Sequence, residues 1–208
     1  MVAIVDYRAG NLTSVLYALT YLGYKAIITS KLKKIMAAER IIFPGVGAAG
    51  KAMVDIRKLG LDKAIKEVFN AGKPILGICL GIQIIFERSE ENNTHCLGII
   101  SGEAKAFPHP LYGQTSELLK IPHMGWNKVK FVRPHPVFNG LDPRAEFYFL
   151  HSYYPVPKDA LMAFGLTEYG IEFTSALAYE NLIAIQFHPE KSGRPGLKIL
   201  ENFCNWSP

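Results

Sequence analysis

Cysteine is scarce in this chain of 208 residues: it has three, Cys79, Cys96 and Cys204. They are too few and too scattered for a disulfide framework or a structural zinc site. Stability must therefore come from an apolar core, and a reducing cytoplasm is the natural compartment. Long hydrophobic runs are missing as well, since no segment approaches the roughly 20 apolar residues that cross a bilayer. The opening Met1-Val2-Ala3-Ile4-Val5-Asp6 lacks the basic start and small-residue cleavage site of a signal peptide and reads as a strand. Repeats and low-complexity linkers are absent, which leaves one domain over residues 1–208 as the expected organisation. Charge is not strongly one-sided: the formal net value is +5, read as a solvated basic surface. The Lys31-Leu32-Lys33-Lys34 cluster has no interleaved aromatics on which nucleic-acid bases could stack. Neither a nucleic acid nor a membrane is an expected partner.

What is present is alternation of strand and helix. Ala3–Asp6 is a short apolar strand. Leu12, Val15, Leu16, Leu19 and Leu22 follow at helical spacing, with Asn11 and Thr13 available to cap the start and Gly23 to stop it. Lys25–Thr29 and Ile41–Phe43 are further strands, the latter ended by Pro44. A helix over Leu61–Ala71 is stopped by Gly72 and Pro74. Pro74–Ile78 is a buried strand and Ile82–Glu87 a helix directly after it. The second half changes to strands joined by short turns: Lys128–Val132, Glu146–His151, Met162–Thr167, Phe173–Glu180 and Leu182–Phe187, with Asn181 at a hairpin tip. Leu197, Leu200 and Phe203 mark a closing helix, with Pro195 suited to its start. The expected fold is α/β, a mixed and largely parallel central sheet with helices on both faces. Sites in such folds gather at the carboxyl ends of strands.

Three segments carry chemistry. In Gly77-Ile78-Cys79-Leu80-Gly81, a buried strand runs into a helix with cysteine at the junction and a glycine two residues to either side. A nucleophile elbow has this layout: the sharp turn exposes the nucleophile, and glycines remove side chains that would collide. The helix start favours a thiolate, and the Leu80 N–H can face a developing oxyanion. A small cysteine filling space beside a strand would look the same in isolation. The tie is broken by Gln186-Phe187-His188-Pro189-Glu190. A thiol nucleophile needs a base, and the base benefits from a carboxylate that fixes its tautomer. His188 and Glu190, two apart at a strand end, face the same side. Third, Phe43-Pro44-Gly45-Val46-Gly47-Ala48 can turn a peptide N–H into a cavity as a second oxyanion donor from Gly45, Val46 or Gly47. Alone, that Pro-Gly-x-Gly run is weak, because turns use the same residues constantly. Cys96 and Cys204 read as packing residues, and His95, His109 and His135 lack any metal-ligand spacing. No metal or cofactor is expected.

Pro-Gly-Val-Gly, Gly-Ile-Cys-Leu-Gly-Ile-Gln and Gln-Phe-His-Pro-Glu, in that order, resemble the class I (triad-type) glutamine amidotransferases. Asp6–Val15, Pro122–Asn127, Tyr148–Tyr153 and the ending His188-Pro189-Glu190-Lys191-Ser192 narrow the resemblance to the glutaminase subunits of imidazole glycerol phosphate synthase. It covers essentially the whole chain. The resemblance implies Cys79 as nucleophile, His188 as acid/base and Glu190 as its orienting partner. It places Gly47, Gln83, His151 and Ser152 at glutamine-binding positions, and Met124, Trp126, Tyr148, Lys191, Arg8 and Asn11 near a partner-facing surface. The implied partner is a (β/α)-barrel cyclase subunit, through which ammonia passes to the nucleotide PRFAR to give imidazole glycerol phosphate and AICAR in histidine biosynthesis. Arg8 departs from the family, which usually has glycine or a small residue there. An arginine snorkelling to solvent accounts for it, while an altered interface would suit a related amidotransferase of surface-polysaccharide synthesis. A non-catalytic, partner-binding homologue is the reading from another class, and such proteins typically lose one of the three triad residues.

Overall fold

The computed structural model describes residues 1–208. Its centre is an eight-stranded sheet. Five strands are parallel: β1 (Val2–Val5), β2 (Ala26–Thr29), β3 (Arg40–Gly45), β4 (Ile75–Cys79) and the late β14 (Leu182–Ile185). They lie in the order β2-β1-β3-β4-β14. Beyond β14 the sheet continues antiparallel through β13 (Ile171–Tyr179), β12 (Ala163–Tyr169) and β9 (Lys130–Phe131). The central strands are apolar throughout because both of their faces are covered. Val2, Ile4, Ile42, Leu76, Ile78, Ile183 and Ile185 enter one core, against α1 (Leu12–Tyr21) and α6 (Gly193–Asn205). Ala3, Val5, Ile41, Phe43, Ile75, Leu182 and Ala184 enter the other. That core is closed by α2 (Leu32–Ala37), α3 (Ala49–Lys58), α4 (Leu61–Asn70) and α5 (Leu80–Ile84). The period of two along each strand thus decides which helix each residue meets.

Two smaller sheets flank the carboxyl ends of the parallel strands. β8 (His123–Lys128) pairs antiparallel with β10 (Glu146–His151), and β11 (Tyr153–Pro157) joins β7 (Gly102–Ala106), β5 (Arg88–Ser89) and β6 (Thr94–His95). The expected mixed sheet with two helical faces is present, and the β13–β14 turn falls at Glu180-Asn181.

Several local expectations are corrected. Pro44 does not end β3, which runs through it to Gly45, in register with Ile78 and Cys79 of β4. Asn11 does not cap α1. It sits at φ +73 with no capping bond, because its amide is engaged elsewhere. The helix after the elbow begins at Leu80 and ends by Ile84, well short of Glu87. Lys128–Val132 is not one strand: β8 begins at His123 and breaks before β9. Helix α3 had no counterpart in the periodicity, since its buried face is made of Ala49, Ala52, Met53, Asp55 and Ile56, with small residues and an acid among them. No helix is long and apolar enough to cross a membrane.

Candidate active site

Cys79 ends β4 and precedes α5, at φ +55 and ψ −104, a conformation that L-residues avoid. The glycines on either side explain how the chain tolerates it. A Cβ on Gly81 would come within 2.2 Å of the Phe43 carbonyl oxygen, and one on Gly77 within 3.2 Å of both the Ala184 Cβ and the Gly81 carbonyl carbon. The sulfur faces the Leu150 carbonyl at 3.6 Å and receives the Gln186 amide at 3.8 Å. Beside it opens a cavity of about 230 Å³. Its walls include Val46, Gly47, Leu80, Gln83, His151 and Ser152. Six of the residues expected around the thiol and its substrate therefore share one cavity with it. Gly45 does not line it; it is buried in β3 opposite Cys79.

His188 leaves the end of β14 and is 1% exposed. Its backbone N–H donates to the Tyr148 carbonyl at 2.8 Å, and Ser192 Oγ donates to the His188 carbonyl at 2.6 Å while accepting the Tyr148 N–H at 3.0 Å. This pins the turn Pro189–Lys191 against β10. The turn brings Glu190 back so that His188 Nδ1 donates to Glu190 Oε1 at 2.8 Å, with both side chains buried. The Asn11 amide donates to the same Oε1. Nδ1 is thereby fixed as a donor. Nε2, on the far side of the ring, completes no hydrogen bond, and neither does Glu190 Oε2. Burial disfavours the imidazolium, but the nearby Cys79 sulfur, and then the charge and hydrogen bond of Glu190, override it and raise His188 from 6.5 to about 10. The Cys79 thiol therefore lies close enough to act on the charge of the imidazole.

A histidine pair lies at and behind the cavity wall. His151 Nδ1 donates to the Tyr153 carbonyl at 2.8 Å, so its Nε2 must accept from His123 Nδ1 at 2.9 Å. His123 Nε2 then accepts the Asn127 amide at 3.3 Å. The series is consistent only with two neutral rings. Burial lowers His123 to about 4 and, with His123 as a further influence, His151 to about 3. Gln83 Nε2 donates to the same Tyr153 carbonyl at 3.0 Å and to Gln186 Oε1 at 3.2 Å, so the pocket wall is tied to α5 as well.

The positions expected at a partner surface divide. Met124 and Trp126 are 65% and 55% exposed on β8. Trp126 meets Tyr148 edge to face at 6.0 Å, and Lys191 Nζ sits 5.7 Å from the Tyr148 ring. These four form one patch, joined to His188 through Tyr148. Arg8 stands apart, on the side of α3, with a long ion pair of 3.7 Å to Asp55. Its φ of +67 accounts for the small residue usual at that position, and its side chain reaches along the surface instead of ending free in solvent. Asn11 turns its side-chain amide onto Glu190, the neighbour of Lys191. Residues that sequence reasoning passed over are Gln186 on the sulfur, Ser192 behind the His188 turn, and His123 behind His151. Gln186 could have been found, because it lies two positions before His188, just past the end of β14.

An elbow thiol and a glycine turn share one cavity at the carboxyl ends of parallel strands, and a carboxylate-held imidazole is buried beside the thiol, an arrangement suited to acyl transfer. Residues 3–206 match the family described as "Glutamine amidotransferase class-I". The chain belongs to that family. It is 49% identical over 203 residues to the imidazole glycerol phosphate synthase subunit HisH of Nitratidesulfovibrio vulgaris (strain DSM 19637 / Miyazaki F), covering 98% of this chain and 95% of the relative. It is likewise 49% identical over 207 residues to HisH of Sulfurimonas denitrificans, covering 99% and 98%. Among solved structures, PurLQS from Thermotoga maritima superposes with a TM-score of 0.72 at 19% identity, over 98% of this chain and 97% of that one, a likeness of fold.

Proposed function

We propose that this glutamine amidotransferase chain is the glutaminase half of an imidazole glycerol phosphate synthase, and that Cys79, His188 and Glu190 carry its chemistry. The observation that bears most weight is the buried imidazole: its Nδ1 is committed to Glu190, and its Nε2 is left unpaired on the side of the Cys79 sulfur. Glutamine enters the cavity with its side-chain carbonyl among the N–H groups of Leu80 and of Val46 or Gly47. The sulfur, as thiolate, attacks the amide carbon, and the carbonyl electron pair moves to oxygen. As that oxyanion collapses, the C–N bond breaks and His188 gives its proton to the leaving ammonia. Water then attacks the γ-glutamyl thioester, His188 takes its proton, and the C–S bond breaks to release glutamate. Glu190 stays ionised and holds the ring in the tautomer that serves both steps. Gln83, His151 and Ser152 shape the pocket that orients the glutamine.

Met124, Trp126, Tyr148 and Lys191 seat a (β/α)-barrel cyclase subunit, into whose interior ammonia passes for reaction with PRFAR in histidine biosynthesis. The names of the HisH relatives and the exposed aromatic patch next to His188 support this partner. Rotation of a peptide in the Gly45–Gly47 turn would add or remove an oxyanion donor, so the partner could switch turnover on. The test is glutamine hydrolysis with and without the cyclase subunit and PRFAR. Turnover should rise with the loaded partner. In Cys79→Ala it should vanish, while ammonia-dependent synthesis by the pair persists. Glutamine hydrolysis by the Cys79→Ala variant, or equal rates with and without the loaded partner, would count against the proposal.

A further inference from the structure

Three buried side-chain polar atoms complete no hydrogen bond: His188 Nε2, Glu190 Oε2 and Tyr7 Oη. The first two belong to the triad just described. Tyr7 has no place in it, yet it occupies the same neighbourhood. The residue lies two positions beyond β1, is 1% exposed, and tilts its ring against Phe43 at 4.9 Å. A hydroxyl so buried is costly to leave unpaired. Burial, and then the charge of Cys79, raise the phenol above its ordinary range, so it remains a protonated donor.

Its position gives the unpaired donor a use. Oη is packed directly on Gly45, where a Cβ would come within 1.7 Å of it; this is the physical reason that position holds glycine. Gly45 is the cross-strand partner of Cys79. The next two residues, Val46 and Gly47, form a wall shared by two cavities. Cys79 and Gln83 line the front cavity; Tyr7, Lys51 and Asp55 line the rear one. Within one peptide the N–H and C=O point in opposite directions. If the Gly45–Val46 peptide turns its N–H to the front, the Gly45 carbonyl swings to the rear, where a buried O–H stands without an acceptor. Glycine on both sides of Val46, with Gly47 at φ +110, leaves that rotation sterically open.

We propose that Tyr7 is a positioning residue of the oxyanion turn: its hydroxyl takes the Gly45 carbonyl when the Gly45–Val46 peptide rotates, and so holds the Val46 N–H on the substrate oxygen. The inference rests on the glutaminase reading above. It turns an unsatisfied donor into a bias toward the productive arrangement.

Tyr7→Phe deletes one oxygen and keeps the ring on Phe43. Glutamine hydrolysis is measured in the presence of the cyclase subunit and PRFAR, together with thermal melting of the chain. The expected kcat is lower by roughly tenfold, the equivalent of one net neutral hydrogen bond. KM for glutamine should stay within about twofold, since ground-state binding is untouched. The melting temperature should hold or rise, because the deleted oxygen had no partner to lose. A kcat within about twofold of the unaltered chain, or a fall in kcat accompanied by lower melting temperature, would overturn the proposal. The two readings can fail separately. Turnover by the unaltered pair that is lost in Cys79→Ala sustains the glutaminase reading whatever Tyr7→Phe does, and no turnover by the unaltered pair would overturn both.

Discussion

Replacing Glu190 by glutamine tests how the imidazole is held, and the structure predicts a milder outcome than the loss of a triad carboxylate usually brings. Amidation of that residue in a serine triad costs about 10⁴ in rate, because the new amide can present its NH₂ group and select the wrong histidine tautomer. Here two donors, His188 Nδ1 and the Asn11 amide, converge on Oε1, while Oε2 has no partner. Both would clash with an NH₂ at the Oε1 position, so the substituted amide must place its oxygen there and keep the tautomer. What is lost is charge. The lower bound is the change from a charge-assisted to a neutral hydrogen bond, about 1.5 kcal/mol. The upper bound is the full attraction of unit charges some 4 Å apart at an effective dielectric of 20, about 4 kcal/mol. These bracket a fall in kcat of about 10- to 10³-fold. The decisive comparison adds Asn11→Ala. Without the second donor the amide is free to turn over, so Asn11→Ala should cost more in the Glu190→Gln background than in the unaltered chain. Steady-state glutamine hydrolysis with the loaded partner gives all four rates. An Asn11→Ala effect in the double variant equal to or smaller than its effect alone would refute the clamp.

Two further outcomes follow from the packing. His123 and His151 are held below the ordinary value of 6.5, near 4 and 3, so the folded chain keeps both rings neutral. Their contribution is present above pH 6.5 and is lost as pH falls toward 4. His123→Phe removes one of the two protons taken up on unfolding and should flatten the pH dependence of urea unfolding over pH 6.5–4 by up to about 1.4 kcal/mol per pH unit; an unchanged slope would contradict the neutral pair. Gly81→Ala sets a methyl 2.2 Å from the Phe43 carbonyl oxygen, a backbone atom with nowhere to retreat. Urea unfolding should show a loss of about 1–3 kcal/mol, with reduced turnover as the elbow shifts; full stability and activity would contradict the elbow packing.

Much of this molecule could be read from residues in order. Continuous apolar runs such as Val2–Val5 and Leu182–Ile185 announce strands covered on both faces, and the glycines around Cys79 announce the elbow. What escaped has physical reasons. Pro44 lies inside β3, where proline ordinarily argues for a strand end. Asn11 looked like a helix cap, because asparagine before an apolar-periodic run serves that role most often; its tertiary bond to Glu190, 179 residues away, cannot be seen in local spacing. Tyr7 gave no signal either, since its hydroxyl matters only through the missing side chain of Gly45. His123 and His151 meet through register across β8 and β10, and β8 itself was hidden by Gly125 and the preceding Pro122.

The most direct test is to quench the chain during glutamine turnover with its loaded partner and examine the peptide carrying Cys79 by mass spectrometry. A single glutamyl group on Cys79, absent from His188-containing peptides and from the Cys79→Ala variant, is the predicted result. Steady release of glutamate while Cys79 remains unmodified and freely alkylated, with Cys79→Ala equally active, would contradict it.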